Sequence, residues 1–380
     1  MKRSLWSAVV AVTLACSMAS CGPAGPANPA GGFKVTITGE SGAQDGFAFP
    51  ATDGPAFIDG WELKFESVVV FIDKVTVSEN PDKVAGDQSQ TGDLVAQLDG
   101  PFVVDLVKEG PISAEEDNGK AWELGVIANQ NKKGGIAFDA TQKYAFGYEL
   151  AKASSGAKNI GGVDAAVAST MVSKGYAVWM KGTAEWKGTN CRTTNAAYDF
   201  NRVPKKINFE FGFATPVTFK NCINPQLMPA ESRGIQGKKG ADTVAQVTLH
   251  LDHPFWEALE EDAPLRFDLI AAQKSVAAGM TAPASASVTA EELASLGFVA
   301  GKDAQSNDLP WRYCGDMAAG ERTTGNVSYN PNGVAVSASG GAAGLKGLAD
   351  YMSFNLSTFG HLNNDGLCFP ARNYPAPSQP

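Results

Sequence analysis

Histidine is scarce in this chain, with 3 residues in 380, and no apolar run is long enough to cross a membrane. The longest such run, residues 5–16, has roughly 12 residues where a spanning helix needs about 20. Basic residues are also fewer than acidic ones. The formal net charge is −9, and the basic clusters are no larger than Lys205–Lys206 or Lys238–Lys239. An acidic chain without a basic patch does not attract nucleic acid, so we expect no nucleic-acid partner.

The chain lacks the motifs of the common enzyme classes, including GxSxG, the Walker loop, the kinase set and HExxH. Adjacent carboxylates such as Glu115–Glu116 and Glu291–Glu292 indicate solvated surface. The tryptophans at alternating strand positions indicate core or rim, although a sugar-binding groove stays open as an alternative. We therefore expect no catalysis. An enzymatic interpretation would need an open metal position beside a general base such as Asp252 or Glu257.

The first 21 residues resemble a bacterial lipoprotein signal peptide. Lys2 and Arg3 precede the apolar run, and Met18-Ala-Ser-Cys21 ends in the cysteine that would carry lipid after cleavage. We expect a signal peptide at 1–20, a Pro/Gly-rich tether at 21–32 and the folded domain at 33–380. Gly22 is not the aspartate that marks inner-membrane retention, which favours a lipid anchor in the outer membrane, on its periplasmic or surface face, with an outer-membrane receptor as a candidate partner. An ordinary secretory signal is the alternative.

Cysteine usage agrees with export to an oxidising compartment. Beyond Cys16 in the signal and the lipid-bearing Cys21, four cysteines remain, which predicts two disulfides. Three connectivities are open. We favour the pairs that are closest in sequence, Cys191 with Cys222 and Cys314 with Cys368.

Alternating apolar and polar residues predict many strands and few helices. This pattern is typical of a mainly β protein, an antiparallel β-sandwich with a few short helices and long loops. The predicted strands are Phe33–Thr38, Trp61–Phe65, Val68–Val77, Leu94–Leu98, Phe102–Leu106, Tyr144–Leu150, Tyr176–Trp186, Lys206–Phe213, Val217–Lys220, Val244–Leu251 and Leu265–Ile270.

Helical signals are sparse. Pro254 opens a predicted short helix over Phe255–Leu259, and Thr289 with Glu292 forms a capping box. A third helix is predicted from Ala342 to Leu348 or beyond. The small residues of Ala272–Ser287 indicate a modest boundary, after which a C-terminal loop and helix region begins.

The three histidines are the best indication of function. His250 ends a predicted strand, His253 follows beside Asp252, and His361 lies shortly before Cys368. Neutral imidazole is the commonest ligand for a transition metal, so three rings at one point would hold copper or zinc, with Asp252 or water as the fourth ligand. The alternative is a structural or interaction lipoprotein whose histidines make ordinary hydrogen bonds.

A resemblance strengthens the metal hypothesis. Five segments carry it: Asp59-Gly-Trp-Glu-Leu-Lys-Phe65, Phe209-Glu-Phe-Gly-Phe213, Val247-Thr-Leu-His250-Leu-Asp-His253, Phe267-Asp-Leu-Ile-Ala-Ala272 and Thr358-Phe-Gly-His361. They resemble a family of secreted lipoproteins common in myxobacteria, which is distantly similar to the MbnP-like periplasmic copper-binding proteins. The resemblance implies a β-rich fold in which the three histidines bind the metal.

One segment departs from that family. Its members carry an acidic, EF-hand-like loop before the capped helix, whereas residues 273–287 of this chain contain no carboxylate. Calcium requires six or more oxygen ligands, several of them charged, so we expect no calcium here. The sequence thus predicts an outer-membrane lipoprotein that captures or transfers copper or zinc.

Overall fold

The computed structural model describes residues 25–51, 54–114, 119–193, 195–257, 263–295, 303–307, 309–315 and 347–373. The predicted signal peptide, Cys21 and the start of the tether lie outside these residues, as do Glu115 and Glu116. No helix in these ranges is long and apolar enough to span a membrane.

The structure is mainly β, as the sequence predicts. In chain order the strands are β1 (Phe33–Thr38), β2 (Trp61–Ser78), β3 (Leu94–Leu98), β4 (Phe102–Asp105), β5 (Ile112–Ser113), β6 (Lys120–Ile127), β7 (Lys143–Leu150), β8 (Lys158–Ile160), β9 (Val178–Trp186), β10 (Arg192–Thr193), β11 (Lys206–Phe213), β12 (Val217–Lys220), β13 (Ile235–Gln236), β14 (Thr243–Leu249), β15 (Ala286–Thr289), β16 (Arg312–Tyr313), β17 (Gly360–Leu362), β18 (Gly366–Leu367) and β19 (Phe369–Arg372).

The helices are short. They are α1 (Glu40–Gln44), α2 (Ala165–Lys174), α3 (Asp268–Ala271), α4 (Ala290–Ser295) and α5 (Leu348–Leu356), with 3₁₀ turns at Phe200–Arg202, His253–Phe255 and Ala272–Lys274. The predicted capping box is confirmed, because the Thr289 backbone N–H donates to the Glu292 carboxylate and the Glu292 N–H donates to the Thr289 hydroxyl.

Two large sheets contain most of the strands. The smaller has the order β18-β17-β14-β1-β6-β5, and the path through the larger is β15-β11-β9-β2-β7-β12-β19. The sheets are mixed, whereas the sequence predicts an antiparallel fold: β1 with β14, β4 with β8 and β11 with β15 are parallel pairs. Periodicity reports which residues face the core, and it carries no information on strand direction.

The long strand β2 joins two strands that the sequence predicts separately. Its pairing with β9 shifts register between Phe65 and Ser67, so an irregularity interrupts the alternation without ending the strand. Trp61 and Val70, on either side of this point, are both buried. A break in periodicity therefore marks a bulge here and not a turn.

The predicted strand Leu265–Ile270 is wrong, because its second half forms α3. The helix receives its cap from a distant residue: Asp59 Oδ2 accepts the backbone N–H groups of Phe267 at 2.7 Å and Asp268 at 2.8 Å. The predicted helices also differ at their bounds. The turn after Asp252 ends at Phe255, and α5 begins at Leu348, while residues 342–346 lie outside the described ranges.

Both disulfides exist, but the connectivity favoured from the sequence is wrong. Cys191 pairs with Cys314 and Cys222 with Cys368. Strand register gives the reason. Arg192 on β10 is opposite Tyr313 on β16, and Lys220 on β12 is opposite Phe369 on β19, so each disulfide joins positions at the ends of these antiparallel pairs. Proximity in sequence says nothing about such long-range pairs.

A buried ionic cluster lies beneath α3. It contains the carboxylates of Asp59, Glu257 and Asp268 and the guanidinium groups of Arg266 and Arg312. Each of these residues is 5% exposed or less. Arg266 donates to Glu257, and Arg312 donates to Asp268. Glu257 is therefore a structural ion-pair partner, and its position does not support the role of general base considered from the sequence.

Candidate metal centre

All three histidines of the chain meet at one point. One ligand nitrogen from each of His250, His253 and His361 lies within 4.8 Å of the others. The rings of His250 and His361 are stacked with centroids 4.0 Å apart, and the His253 ring stands nearly perpendicular to His361 at 5.4 Å. The convergence predicted from the sequence is confirmed.

Strand register brings His250 and His361 together. β17 pairs antiparallel with β14, and His361 is directly opposite Thr248. Because side chains two residues apart on an extended chain share a face, His250 projects on the same side as Thr248 and becomes the diagonal neighbour of His361. The backbone N–H of His250 donates to the Phe359 carbonyl at 2.9 Å, which extends this pairing beyond the end of β14.

Gly360 lets β17 pack closely on the larger sheet. A Cβ at this position would lie 2.5 Å from the Tyr148 hydroxyl and 2.6 Å from the Phe219 ring. The Tyr148 hydroxyl also donates to the His361 carbonyl at 3.3 Å. The strand that carries His361 is thus paired with β14 and β18 along its two edges and packed against aromatic residues of the core on one face.

His253 reaches the cluster through the tight turn that follows His250. Its Nδ1 lies 2.9 Å from the Thr358 hydroxyl, which in turn donates its proton to the Asn355 carbonyl at 2.8 Å. Since the hydroxyl has only one proton, its oxygen accepts from His253, and Nδ1 carries the hydrogen. This tautomer leaves the lone pair of His253 on Nε2, as a metal ligand requires.

Trp256 packs against the His253 ring. It stacks on His253 with centroids 3.7 Å apart, and its indole N–H donates to Asp252 Oδ2 at 3.0 Å. Burial raises the pKa of the Asp252 carboxyl, and the nearby His250 opposes that effect. Asp252 thus lies beside the cluster and is engaged by the indole. It does not belong to the group of three that converges, so its role as a ligand stays a prediction.

His361 is buried with its ring nitrogens left without a proper hydrogen bond. The residue is 2% exposed, and neither Nδ1 nor Nε2 has a partner of normal geometry, although the backbone at Thr358 and Asp365 comes near the ring. A buried polar group in this state costs about 1–3 kcal/mol. A ligand that accepts the lone pair would remove that cost.

The electrostatics keep two of the rings neutral. Burial, followed by the proximity of His250, lowers the pKa of His361 to about 3. Burial and the two neighbouring histidines lower the pKa of His253 well below its usual range. Both imidazoles therefore offer lone pairs at neutral pH without first losing a proton, which suits them for metal binding.

The donor set fits a transition metal ion. Ligands of one tetrahedral ion with bonds of 2.0–2.1 Å stand about 3.4 Å apart. The three nitrogens lie within 4.8 Å of one another, so modest side-chain rotations close them around an ion. Three imidazoles suit zinc or copper better than the hard cations that prefer oxygen.

No protein-family model, curated protein or solved structure matches this chain. The resemblance to secreted lipoproteins of the MbnP-like type therefore stays a prediction. The geometry of the three imidazoles is the observation that bears on function.

The sequence did not reveal two residues that contact the histidines. Thr358 fixes the His253 tautomer, and the Glu40 carboxylate approaches His250 Nε2 at 3.4 Å. Glu40 lies in a cavity of about 1020 Å³ that His250 also lines. The glutamate follows β1, some 210 residues before His250, and only the parallel pairing of β1 with β14 brings their ends together.

Proposed function

We propose that this protein is an envelope lipoprotein that binds one copper or zinc ion through His250, His253 and His361, for capture or transfer. The convergence of every histidine of the chain on one point supports the binding site. The signal-like N-terminal sequence and the four domain cysteines support the envelope location and the lipid anchor at Cys21.

The observation that carries the metal site is His361. A purely structural histidine in a protein interior uses its nitrogens in hydrogen bonds, as His253 does with Thr358. His361 is as deeply buried and stacks on a second imidazole, yet its nitrogens have no side-chain partner among the described residues and meet only the backbone at Thr358 and Asp365. This arrangement is costly in an empty site and favourable around an ion, so it favours metal binding over the structural alternative.

The test is an equilibrium metal titration of the full chain, purified with an affinity tag that contains no histidine. The chain is incubated with Zn(II) or Cu(II), passed over a desalting column and analysed for bound metal. We expect one ion per wild-type chain and none in His361→Phe. The phenylalanine keeps an aromatic ring against His250 while it removes both nitrogens.

Tyr148→Phe is the matched control, because it changes a buried aromatic residue that touches the same strand. We expect this variant to keep one ion per chain. We also expect metal-free His361→Phe to melt at the same temperature as wild type or higher, since the substitution removes an unsatisfied polar group. Absence of bound metal from the wild-type protein would overturn the proposal and favour the structural alternative.

A further inference from the structure

We propose that Glu40 supplies a fourth, oxygen ligand to the three histidines and that the site thereby prefers a divalent ion. This inference rests on the proposed function. It concerns the first residue of α1, which is remote in sequence from the three histidines.

The position of the carboxylate supports ligation. Glu40 Oε2 lies 3.4 Å from His250 Nε2, which is longer than the 2.7–3.2 Å of an ordinary N–H···O hydrogen bond. It matches the separation of about 3.4 Å between two ligands of one tetrahedral ion. The Glu40 side chain is only 13% exposed, so the carboxylate is held against the imidazole and not in solvent.

The backbone of Glu40 adopts a conformation that disfavours glutamate. Its φ is +56°, in the left-handed region where glycine has no steric penalty. The turn is fixed nevertheless: the Glu40 N–H donates to the Thr38 hydroxyl at 2.9 Å, and that hydroxyl donates to the Lys120 carbonyl at 3.0 Å. The side chain is therefore aimed at His250 by a rigid segment.

The other nearby carboxylates are less suited to this role. Asp252 is engaged by the Trp256 indole. Asp365 Oδ1 is 4.0 Å from His250 Nε2, and its side chain is 72% exposed. Of the three, Glu40 is both close to His250 and shielded from solvent. Glu40 lies outside the group of three that converges, so binding the same ion as His253 and His361 requires a rotation of its flexible side chain.

The cavity outside Glu40 suits the approach of a cation. Its described lining residues include four carboxylates and no lysine or arginine; the acidic residues are Glu40, Asp45, Asp252 and Asp365. A cleft lined by one sign of charge raises the local concentration of oppositely charged ions. A carboxylate in the ligand set favours Zn(II) or Cu(II), whereas the softer Cu(I) prefers thiolate, thioether and imidazole.

The test measures affinity for Zn(II) and for Ag(I), a redox-inert substitute for Cu(I), by competition with chelators on the full chain. The variants are Glu40→Gln and Glu40→Gly, and the control is Asp45→Asn, which removes an exposed carboxylate of the same cavity. We expect both Glu40 variants to bind Zn(II) at least about tenfold more weakly and Ag(I) within about threefold of wild type. Asp45→Asn should leave both affinities within about threefold.

Glu40→Gly separates a ligand role from a folding role. Glycine adopts a φ of +56° freely, so this variant should melt at the wild-type temperature or above it while it loses Zn(II). If both variants bind Zn(II) as wild type does, Glu40 is not a ligand, although the three-histidine site stands. Equal loss of Zn(II) and Ag(I) also overturns the inference, because it indicates damage to the histidine cluster. If wild type binds neither ion, the proposed function fails with it.

Discussion

The Thr358 hydroxyl is a hydrogen-bond partner of the His253 ring and favours one of its tautomers. Because the hydroxyl proton goes to the Asn355 carbonyl, the hydroxyl oxygen accepts from His253 Nδ1 and fixes which nitrogen holds the lone pair. A residue of this kind touches no metal, yet it orients a ligand and sets its tautomer. Such partners commonly change metal affinity by about 10–100-fold.

We therefore expect Thr358→Val to weaken Zn(II) binding by about tenfold or more, because the methyl group cannot accept the Nδ1 proton. Thr358→Ser keeps the hydroxyl and should bind within about threefold of wild type. Chelator competition on the two purified variants measures the difference. Equal affinity of the valine and serine variants would show that the hydroxyl does not position His253.

Asp59 is the residue whose ionisation should govern the pH dependence of stability. It is fully buried, and burial together with the neighbouring Asp268 raises its pKa to about 7, which Arg266 and the N–H groups of α3 only partly offset. The folded protein thus retains a proton that the unfolded chain loses near pH 3.8. The contribution to stability is complete below that pH and is lost as the pH rises toward 7.

Asp59→Asn should remove this loss. The asparagine oxygen still accepts from Phe267 and Asp268, and the amide carries no charge to bury. Between pH 5 and 8 we expect the stability of the variant relative to wild type to increase by roughly 2 kcal/mol, measured by urea unfolding. Asp59→Ala, which leaves α3 uncapped, should be less stable at every pH. If the difference in free energy of unfolding between wild type and Asp59→Asn stays constant between pH 5 and 8, the raised pKa assigned to Asp59 is wrong.

At the scale of elements, the sequence predicts many of the strands, although it misses β6, and it predicts distant partners poorly. Strands such as β1, β3, β11 and β12 have the predicted bounds, because the apolar and polar residues of a half-buried strand alternate in the sequence. Alternation predicts a strand where α3 forms, because the residue that caps α3, Asp59, is about 200 residues away. The disulfide pairs favoured from the sequence are wrong for the same reason, since each actual pair is more than 100 residues apart.

The candidate site divides in the same way. The three histidines could be predicted from their positions near a strand end and near the C-terminal cysteine. Glu40 and Thr358 could not, because they act through the parallel pairing of β1 with β14 and through the turn between α5 and β17. Register and turn geometry carry that information, and residue spacing does not.

The two disulfides should affect the metal site differently. Cys222–Cys368 fixes the segment of β18 and β19, which borders the strand of His361, whereas Cys191–Cys314 lies near Asp59. Each closes a loop of more than 100 residues, so the chain-entropy estimate is about 5 kcal/mol for either. Loss of either should lower stability.

We expect only Cys222→Ala/Cys368→Ala to weaken Zn(II) binding, by about tenfold, because β17 loses part of its support and the competent site becomes less populated. Cys191→Ala/Cys314→Ala is the matched control and should retain the wild-type affinity. The Zn(II) affinity of each variant is measured by chelator competition, at a temperature below the melting temperatures of both. If both variants lose Zn(II) affinity equally, Cys222–Cys368 has no specific role in supporting the metal site.

At the scale of the whole molecule, a β-rich body carries the three histidines, and we propose that the N-terminal sequence directs the protein to the envelope. The smaller sheet places His250 and His361 by the register of β14 with β17, and a 3₁₀ turn places His253, while the lipid anchor proposed at Cys21 lies far from them along the chain. Folding and anchoring are therefore separable. A change at Cys21 should alter location and leave metal binding intact.

Cys21→Ser removes the thiol that would receive lipid. In a Gram-negative bacterial host we expect the wild-type protein in the membrane fraction, labelled by a fatty-acid probe, and the serine variant unlabelled and released from the membrane. Cys16→Ser, within the apolar run, should behave as wild type. A serine variant that stays labelled and membrane-bound would refute lipidation at this residue.

The location of the bound ion is the most direct test of the central claim, that the three histidines hold one metal. Anomalous diffraction at the zinc edge, from crystals grown with Zn(II), locates the ion without reference to any ligand assignment. We expect one strong peak about 2.0–2.1 Å from a nitrogen of each of His250, His253 and His361. A protein that shows no peak among these rings, with zinc elsewhere or absent, would contradict the account.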